Sequence, residues 1–219
     1  MIYDQKYFDQ EKEVPEYIYR FLLDLANVQK GDIVLDVGCG MGYLVKRLVP
    51  KCKKVIGVDI SEYAVRTCRK KYPSAKIIAS SASNLELEKD SVDVIFAKEV
   101  IEHLESIECE KTLKILYDAL KPGGRLILTT PNINTWVWVP SILTFRRPFT
   151  LYGDPTHINL FTLRRIGRLL NISGFSESSI TYHSREFHRF YKACPKTYGI
   201  LNKFFYPISR SIVIVSIKN

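Results

Sequence analysis

An aspartate followed by three alternating glycines, in LDVGCGMGYL at residues 35–44, indicates a binding site for a ligand. Asp36 lies near the end of an apolar run, where a carboxylate is costly unless something satisfies it. Gly38 and Gly40 would let a ligand approach the backbone of the turn that follows. A second acid, Asp59, ends the next apolar run and could accept hydrogen bonds from both hydroxyls of a ribose. The two acids therefore predict a site for a ligand that contains a nucleoside.

The spacing of the glycines distinguishes between two kinds of cofactor. The pattern over residues 38–42 is G-x-G-x-G, whereas dinucleotide-binding proteins carry G-x-G-x-x-G. Asp36, just before the first glycine, would repel a diphosphate and favour a cation. S-adenosylmethionine carries a sulfonium and an ammonium group and no phosphate, so it is the better match to this acid.

A second group of polar residues could act on the molecule that accepts a methyl group. Glu99, Glu102 and His103 are spaced i, i+3 and i+4, which predicts one face of a helical turn and a possible site for a hard divalent cation. The alternative for this group is a helix cap with a hydrogen-bonded histidine. His157, in GDPTHINLF, is a second candidate base beside His103. Its alternative role is to fasten its loop to the helix that follows.

Alternating helices and strands would position these residues. The strands IVLDV, KVIGVDI, VDVIFA and RLILTT are apolar nearly throughout, as expected in a parallel sheet that is covered on both faces. The sequence therefore predicts an α/β, doubly wound, mostly parallel sheet. The predicted helices are 11–27, 43–49, 61–71, 107–120 and 162–171, and the predicted strands are 32–37, 54–58, 76–79, 92–97, 124–130, 175–182 and 211–217.

The chain of 219 residues predicts one domain. Residues 1–30 would form an N-terminal helical cap, and residues 131–161 a lid or acceptor-binding insertion, because so long a connection usually has a function. The aromatic and basic residues of this insertion could line an apolar acceptor pocket, rest on a membrane, stack on nucleic-acid bases or form a small satellite core: Trp136, Trp138, Phe145, Arg146, Arg147, Phe149 and Tyr152.

Charge is unevenly distributed along the chain, whose net charge is +9. Residues 122–219 hold 13 Lys and Arg but only three acids, which predicts an anionic partner: a phosphorylated substrate, a nucleic acid or an acidic membrane surface. There is no apolar run long enough for a membrane helix, no signal-peptide pattern and no C-x-x-C pair among the five cysteines. These features predict a cytoplasmic protein that could also bind peripherally to a membrane.

Residues 30–182 resemble the class I S-adenosylmethionine-dependent methyltransferases, and are similar to the O-methyltransferases of ubiquinone biosynthesis. The resemblance lies in LDVGCGMG (35–42), GVDIS (57–61), ASNLELEKDSVDVIFAKEVIEHLE (82–105), LKPGGRLILTTPN (120–132) and DPTHINLFTLRRIGRLLNISGF (154–175). It implies a Rossmann-like fold and S-adenosylmethionine as cofactor. In the ubiquinone enzymes the E-x-x-E-H pattern is associated with Mg²⁺, which implies Glu99, Glu102 and His103 as candidate ligands here.

Roles for the cofactor-binding residues follow from the resemblance by position. Those at the methionine end would be Asp36, Gly38, Cys39, Gly40 and the backbone of Lys98, and those at the nucleoside would be Asp59 on the ribose and Ile60, Ala82 and Ser83 around the adenine. Ser81 stands where many relatives have an acid that receives the adenine amino group, so that contact would be weaker.

The predicted function is methyl transfer from S-adenosylmethionine to a hydroxyl of a small, lipid-linked or glycan acceptor. One alternative is an NAD(P)-dependent oxidoreductase, although the Tyr-x-x-x-Lys spacings at Tyr72 and Tyr117 look accidental. Another is an RNA- or membrane-associated binding module that kept the fold and lost the chemistry.

Overall fold

The computed structural model describes residues 3–10, 13–132, 156–175, the backbone of 177–183, and 211–219. Seven strands form one sheet in the order β3-β2-β1-β4-β5-β7-β6. The pairs from β3 to β5 are parallel, and β7 runs antiparallel to both β5 and β6. The strands are β1 (Ile33–Val37), β2 (Lys54–Asp59), β3 (Lys76–Ala79), β4 (Val92–Lys98), β5 (Leu120–Pro131), β6 (Glu177–His183) and β7 (Ser211–Ile217).

Six helices and two short 3₁₀ helices connect these strands within the described ranges. The helices are α1 (Gln5–Gln10), α2 (Glu16–Ala26), α3 (Tyr43–Leu48), α4 (Glu62–Lys71), α5 (Ser106–Ala119) and α6 (Leu163–Ile172), and the 3₁₀ helices are Ala82–Asn84 and Ile101–His103. Ser61 caps α4 by accepting a hydrogen bond from the Ala64 N–H, and Thr162 caps α6 in the same way.

Both faces of the sheet are buried, which confirms the doubly wound α/β fold. On one face Leu35 and Ile95 pack with α5 and α6, and on the other Val34 and Phe96 pack with α2, α3 and α4. Because the central strands have no solvated face, they are apolar throughout. This arrangement places the carboxyl ends of β1, β2 and β4 at one edge of the sheet.

The N-terminal helix differs from the prediction of one helix at 11–27. Two helices form, α1 and α2, and Pro15 precedes the first residue of α2. A proline within a helix lacks the N–H that its hydrogen bond needs, so a helix starts after it more readily than it continues through it. None of the helices in the described ranges is long and apolar enough to cross a bilayer.

The helical turn predicted for Glu99, Glu102 and His103 is also wrong. Glu99 has a φ of 52°, in the left-handed region, and only the 3₁₀ helix Ile101–His103 follows it. A residue with that backbone conformation cannot begin a right-handed helix. Glu99 and Glu102 are therefore not held on one face of a helix.

The predicted insertion at 131–161 is described only at its ends. Pro131 ends β5, and the chain returns at Thr156 beside the Ile101–His103 turn, where the N–H groups of Ile158 and Asn159 donate to the Glu102 carbonyl. Trp136, Trp138, Phe145, Arg146, Arg147, Phe149 and Tyr152 lie outside the described residues. So does most of the basic last third, residues 184–210. The lid and the anionic partner stay predictions.

Candidate active site

A cavity of about 430 Å³ lies where the carboxyl ends of β1, β2 and β4 meet, the edge at which open α/β sheets bind ligands. The predicted residues that line it are Asp36, Gly38, Cys39, Gly40, Asp59, Ile60, Ala82, Lys98, Glu99, His103 and His157. Two predicted residues, Ser83 and Glu102, are buried outside its lining. The predicted residues that line this cavity come from five separate segments of the chain.

The glycine turn after β1 is fixed by both its hydrogen bonds and its crowding. The N–H groups of Gly38 and Cys39 donate to the Val58 carbonyl, at 2.8 and 2.9 Å. Gly38 has a φ of 70°, and a Cβ added there would lie 2.7 Å from Cγ2 of Val100. Only glycine allows this backbone path between β2 and Val100. The turn thus exposes its backbone toward the cavity in one defined shape.

Asp36 is a buried acid at the wall of this cavity. It is 2% exposed, and its Oδ2 atom makes no hydrogen bond to any described residue. Its pKa is raised to about 8, chiefly by burial; the Lys98 ammonium opposes this rise and the nearby Asp59 adds to it. An unsatisfied buried acid of this kind is destabilising by itself. A cationic ligand in the cavity would supply the missing partner.

Asp59, at the end of β2, is held by backbone N–H groups. Its Oδ2 accepts from Gly40 at 2.8 Å and its Oδ1 from Ser61 at 2.9 Å. Burial raises its pKa, and these hydrogen bonds oppose the rise. Each oxygen keeps capacity for another donor, as two ribose hydroxyls require. The side chain of Ile60 beside it is 55% exposed and lines the cavity, offering apolar surface for a flat base.

Two threonines at the end of β5 hold the two glutamates that the sequence singled out. Thr129 Oγ1 donates to Glu99 Oε1 at 2.8 Å, and Thr130 Oγ1 donates to Glu102 Oε2 at 3.2 Å. Glu102 is fully buried, and burial together with the Glu99 carboxylate raises its pKa well above the usual range. Glu99 is the member of the pair that lines the cavity.

The two histidines lie together at the cavity wall. Their ring centroids are 4.8 Å apart. His103 Nδ1 lies 2.9 Å from Thr156 Oγ1 and 3.2 Å from the Thr156 carbonyl oxygen. A carbonyl only accepts hydrogen bonds, so this contact favours the tautomer with the proton on Nδ1 and the basic lone pair on Nε2. His103 is therefore hydrogen-bonded, as the alternative for its group held, and it fastens the returning chain at Thr156.

The predicted metal ligands do not form a magnesium site. Among the described residues, the one group of three whose ligand atoms lie within 4.8 Å of one another is Glu102, His103 and His157, without Glu99. Mg²⁺ prefers six oxygen ligands in an octahedron, several of them water. Two imidazoles and one carboxyl do not offer that set of oxygens. No step below depends on a metal.

Sequence reasoning missed several residues of the cavity. Tyr3, Tyr7 and Phe8, in and before α1, line it, and the Ser61 hydroxyl donates to the Tyr3 carbonyl at 2.6 Å. The aromatic residues of YDQKYF were the available signal, since exposed aromatics so close together are unusual. Glu108, on α5, also lines the cavity, and nothing in its sequence context distinguishes it from a solvated helix residue.

Comparison with known proteins agrees with this geometry. Residues 35–128 match the family model described as a methyltransferase domain. This chain carries a class I S-adenosylmethionine-dependent methyltransferase domain. Over 151 residues it is 32% identical to a probable S-adenosylmethionine-dependent methyltransferase of Mycolicibacterium smegmatis. This alignment covers 69% of this chain and 54% of the relative. The chain is 32% identical over 132 residues to the ubiquinone biosynthesis O-methyltransferase of Idiomarina loihiensis, over 58% of this chain and 54% of that enzyme.

Solved structures share the fold of the methyltransferase domain. A methyltransferase from Archaeoglobus fulgidus superposes with a TM-score of 0.71 at 21% identity, over 98% of this chain and 100% of that one. Phosphoethanolamine N-methyltransferase 2 of Haemonchus contortus, solved with S-adenosyl-L-methionine, gives 0.70 at 18% identity, over 93% of this chain and 52% of that one. The alignments with the curated relatives above span about half of those proteins' own length.

Proposed function

We propose that the protein binds S-adenosylmethionine in the cavity at the ends of β1, β2 and β4, and transfers its methyl group to a hydroxyl of a small acceptor. One observation carries the proposal: buried Asp36, whose Oδ2 has no hydrogen-bond partner, lines the same cavity as Asp59. Two buried acids would repel a diphosphate and would attract a cation. When bound, S-adenosylmethionine supplies an electrophilic methyl group on a positively charged sulfur.

Asp36 would counter the positive charge of the methionine end. In the free protein its carboxyl is protonated near neutral pH, because burial raises its pKa to about 8. A cation beside it lowers that pKa, so it would bind in the ionised form and release a proton. Asp59 would hold the ribose with the lone pairs that the Gly40 and Ser61 N–H groups leave open.

His103 is the proposed base for the acceptor hydroxyl. Its Nδ1–H is held at Thr156, which fixes the ring and leaves Nε2 as the proton acceptor. Taking the hydroxyl proton as the oxygen attacks the methyl carbon makes the oxygen a better nucleophile. His157, with its ring beside that of His103, would orient His103 or the acceptor and is the alternative base.

An adjoining cavity supports an acceptor with an apolar part. It has a volume of about 220 Å³ and shares Lys98 and Glu99 with the cofactor cavity. Its apolar wall consists of Val14, Ile18, Phe21, Leu22 and Val213. An acceptor whose hydroxyl reaches the first cavity while its apolar part occupies the second would fit the two, as a quinone precursor or lipid-linked intermediate does.

Calorimetry with S-adenosylmethionine, S-adenosylhomocysteine and NADH tests the cofactor directly. We expect both sulfur nucleosides to bind and NADH not to bind. A screen of lipid, glycan and RNA fractions with methyl-labelled S-adenosylmethionine then identifies the acceptor class. Binding of NADH alone would favour the oxidoreductase, and cofactor binding with no transfer to any fraction would favour a binding module.

The basic last third supports a separate proposal, that residues 122–219 contact an anionic membrane surface. The supporting observation is that these residues include 13 Lys and Arg but only three acids. Co-sedimentation with vesicles containing phosphatidylglycerol, but not with neutral vesicles, is the expected result, and it should weaken steeply with salt. Salt-sensitive binding to RNA without vesicle binding would contradict it.

A further inference from the structure

A chain of hydrogen bonds runs from the cavity wall at Ser81 to Glu108 on α5. Ser81 Oγ lies 2.9 Å from Ser83 Oγ, and the Ser83 hydroxyl donates to Glu108 Oε1 at 3.1 Å. The other carboxylate oxygen, Oε2, accepts from the Glu105 N–H at 3.1 Å, which fixes the carboxylate at the start of the helix. Ser81 and Glu108 both line the cavity, whereas Ser83, which links them, is buried outside its lining.

The direction of each hydrogen bond follows from counting protons. A hydroxyl has a single proton, and Ser83 gives its proton to Glu108. The contact between the two serines must therefore use the proton of Ser81. Ser81 Oγ also accepts from the Ser83 backbone N–H at 3.3 Å. Its proton and one lone pair are thus occupied, and the lone pair that remains can only accept a hydrogen bond.

We infer that Glu108 is a specificity-determining residue, which acts through Ser83 to make Ser81 a pure acceptor that recognises the 6-amino group of the cofactor's adenine. The inference rests on the proposed function. Two hydroxyls and a carboxylate on α5 together supply the hydrogen-bond acceptor that a single acid at position 81 would supply directly. Glu108 needs no contact with the base, because it sets only the orientation of the two hydroxyl protons.

Replacing Glu108 by glutamine should reverse the chain of hydrogen bonds. The Glu105 N–H can only donate, so it will keep the amide oxygen of the variant and turn the NH₂ group toward Ser83. Ser83 then accepts from that NH₂ and gives its proton to Ser81. The proton of Ser81 is released toward the cavity, where Ser81 becomes a donor. Glutamine also preserves the start of α5, since it is a favourable residue at this helix position.

The test compares binding of S-adenosylhomocysteine with S-inosylhomocysteine, which has a carbonyl oxygen at position 6. We expect the wild-type protein to favour the adenine compound by about tenfold or more, the worth of one hydrogen bond and one mismatch. In Glu108→Gln the ratio should fall about tenfold. The two bases also differ at N1, but that difference is the same in every variant, so a change in the ratio reports position 6.

Three variants complete the test. Glu110→Gln removes the same charge from an exposed position of the same helix and should keep the wild-type ratio. Ser83→Ala breaks the link between Glu108 and Ser81, and Ser81→Ala removes the acceptor itself, so each should lower the ratio with Glu108 unchanged. A wild-type ratio in Glu108→Gln overturns the inference and leaves the proposed function intact. Failure of the wild-type protein to bind S-adenosylhomocysteine overturns both.

Discussion

The backbone N–H of Gly40 donates a hydrogen bond of 2.8 Å to Oδ2 of Asp59. This bond joins the glycine turn after β1 to the acid that ends β2, so neither can move without the other. Because Asp59 also accepts from the Ser61 N–H, its carboxylate is oriented before any ligand arrives. Pre-orientation of this kind favours affinity, since less conformational freedom is lost on binding.

Replacing Asp36 by asparagine should stabilise the free protein and weaken cofactor binding. The pKa of Asp36 is about 8 against an ordinary 3.8, so the folded state holds a proton that the unfolded state loses above about pH 4. The wild-type protein therefore loses stability as pH rises from about 4 to 8, by up to a few kcal/mol, and Asp36→Asn should not. Urea unfolding at pH 5 and pH 9 measures the difference.

The exposed Asp24 provides the matched control for this prediction. Asp24→Asn should leave both the unfolding free energy and S-adenosylmethionine affinity within error of the wild-type values. If Asp36→Asn destabilises the protein at pH 9, or binds S-adenosylmethionine as tightly as the wild-type protein does, Asp36 is a structural residue and not the counter-charge of the ligand.

Cofactor binding should release protons at pH 7. At that pH about nine-tenths of Asp36 is protonated in the free protein, given its pKa of about 8, and a bound cation favours the ionised form. Calorimetry at pH 7 in two buffers of different ionisation enthalpy measures the number of protons. We expect a release approaching one proton for the wild-type protein and a clearly smaller release for Asp36→Asn. Equal release in the two proteins would assign the protons elsewhere.

The strands and the place of the two acids at the cavity could be predicted from the sequence, because both depend on neighbouring residues along the chain. A strand covered on both faces is apolar throughout, and Asp36 and Asp59 each end such a run. The left-handed backbone of Glu99 depends instead on the N–H of that residue donating to both the carbonyl and Oγ1 of Thr129, 30 positions away. The role of Glu108 likewise depends on Ser83, on another segment. Contacts between distant segments produce no periodicity or residue spacing in the sequence, so they could not be predicted from it.

Three glycines allow the destabilisation caused by backbone strain to be measured separately from that caused by steric crowding. Gly42 has a φ of 82°, and a Cβ there would lie 2.7 Å from Cys68 Sγ and from the Tyr72 ring. Gly42→Ala should therefore lower the unfolding free energy by about 3 kcal/mol or more. Gly123 shares the positive φ but has open space, so Gly123→Ala should cost about 1 kcal/mol. Gly31→Ala, with neither feature, should change stability by less than about 0.5 kcal/mol. Equal losses at Gly42 and Gly123 would show that crowding contributes nothing.

Glu102 should tolerate glutamine better than alanine. Burial raises its pKa, so the folded protein keeps the proton of this carboxyl to a higher pH than the unfolded protein does. Wild-type stability should therefore fall as pH rises above about 4.5, whereas Glu102→Gln should lack this slope and still accept from Thr130. Glu102→Ala should be less stable than Glu102→Gln by about 2 kcal/mol or more at every pH, because it leaves a void. Thermal unfolding from pH 5 to 9 measures this, and a steeper loss in Glu102→Gln than in the wild-type protein would contradict it.

His103→Asn removes the proposed base but keeps a hydrogen-bond donor for the loop contact that the same ring makes. The asparagine amide N–H can replace Nδ1–H as the donor to Thr156, but asparagine has no basic nitrogen. With an acceptor from the labelled-methyl screen, kcat should fall about a hundredfold, while S-adenosylmethionine affinity and the melting temperature stay near the wild-type values. His157→Asn should lower kcat less, or raise the KM of the acceptor. If kcat falls more in His157→Asn than in His103→Asn, the two histidines exchange roles, with His157 taking the proton and His103 holding the loop in place.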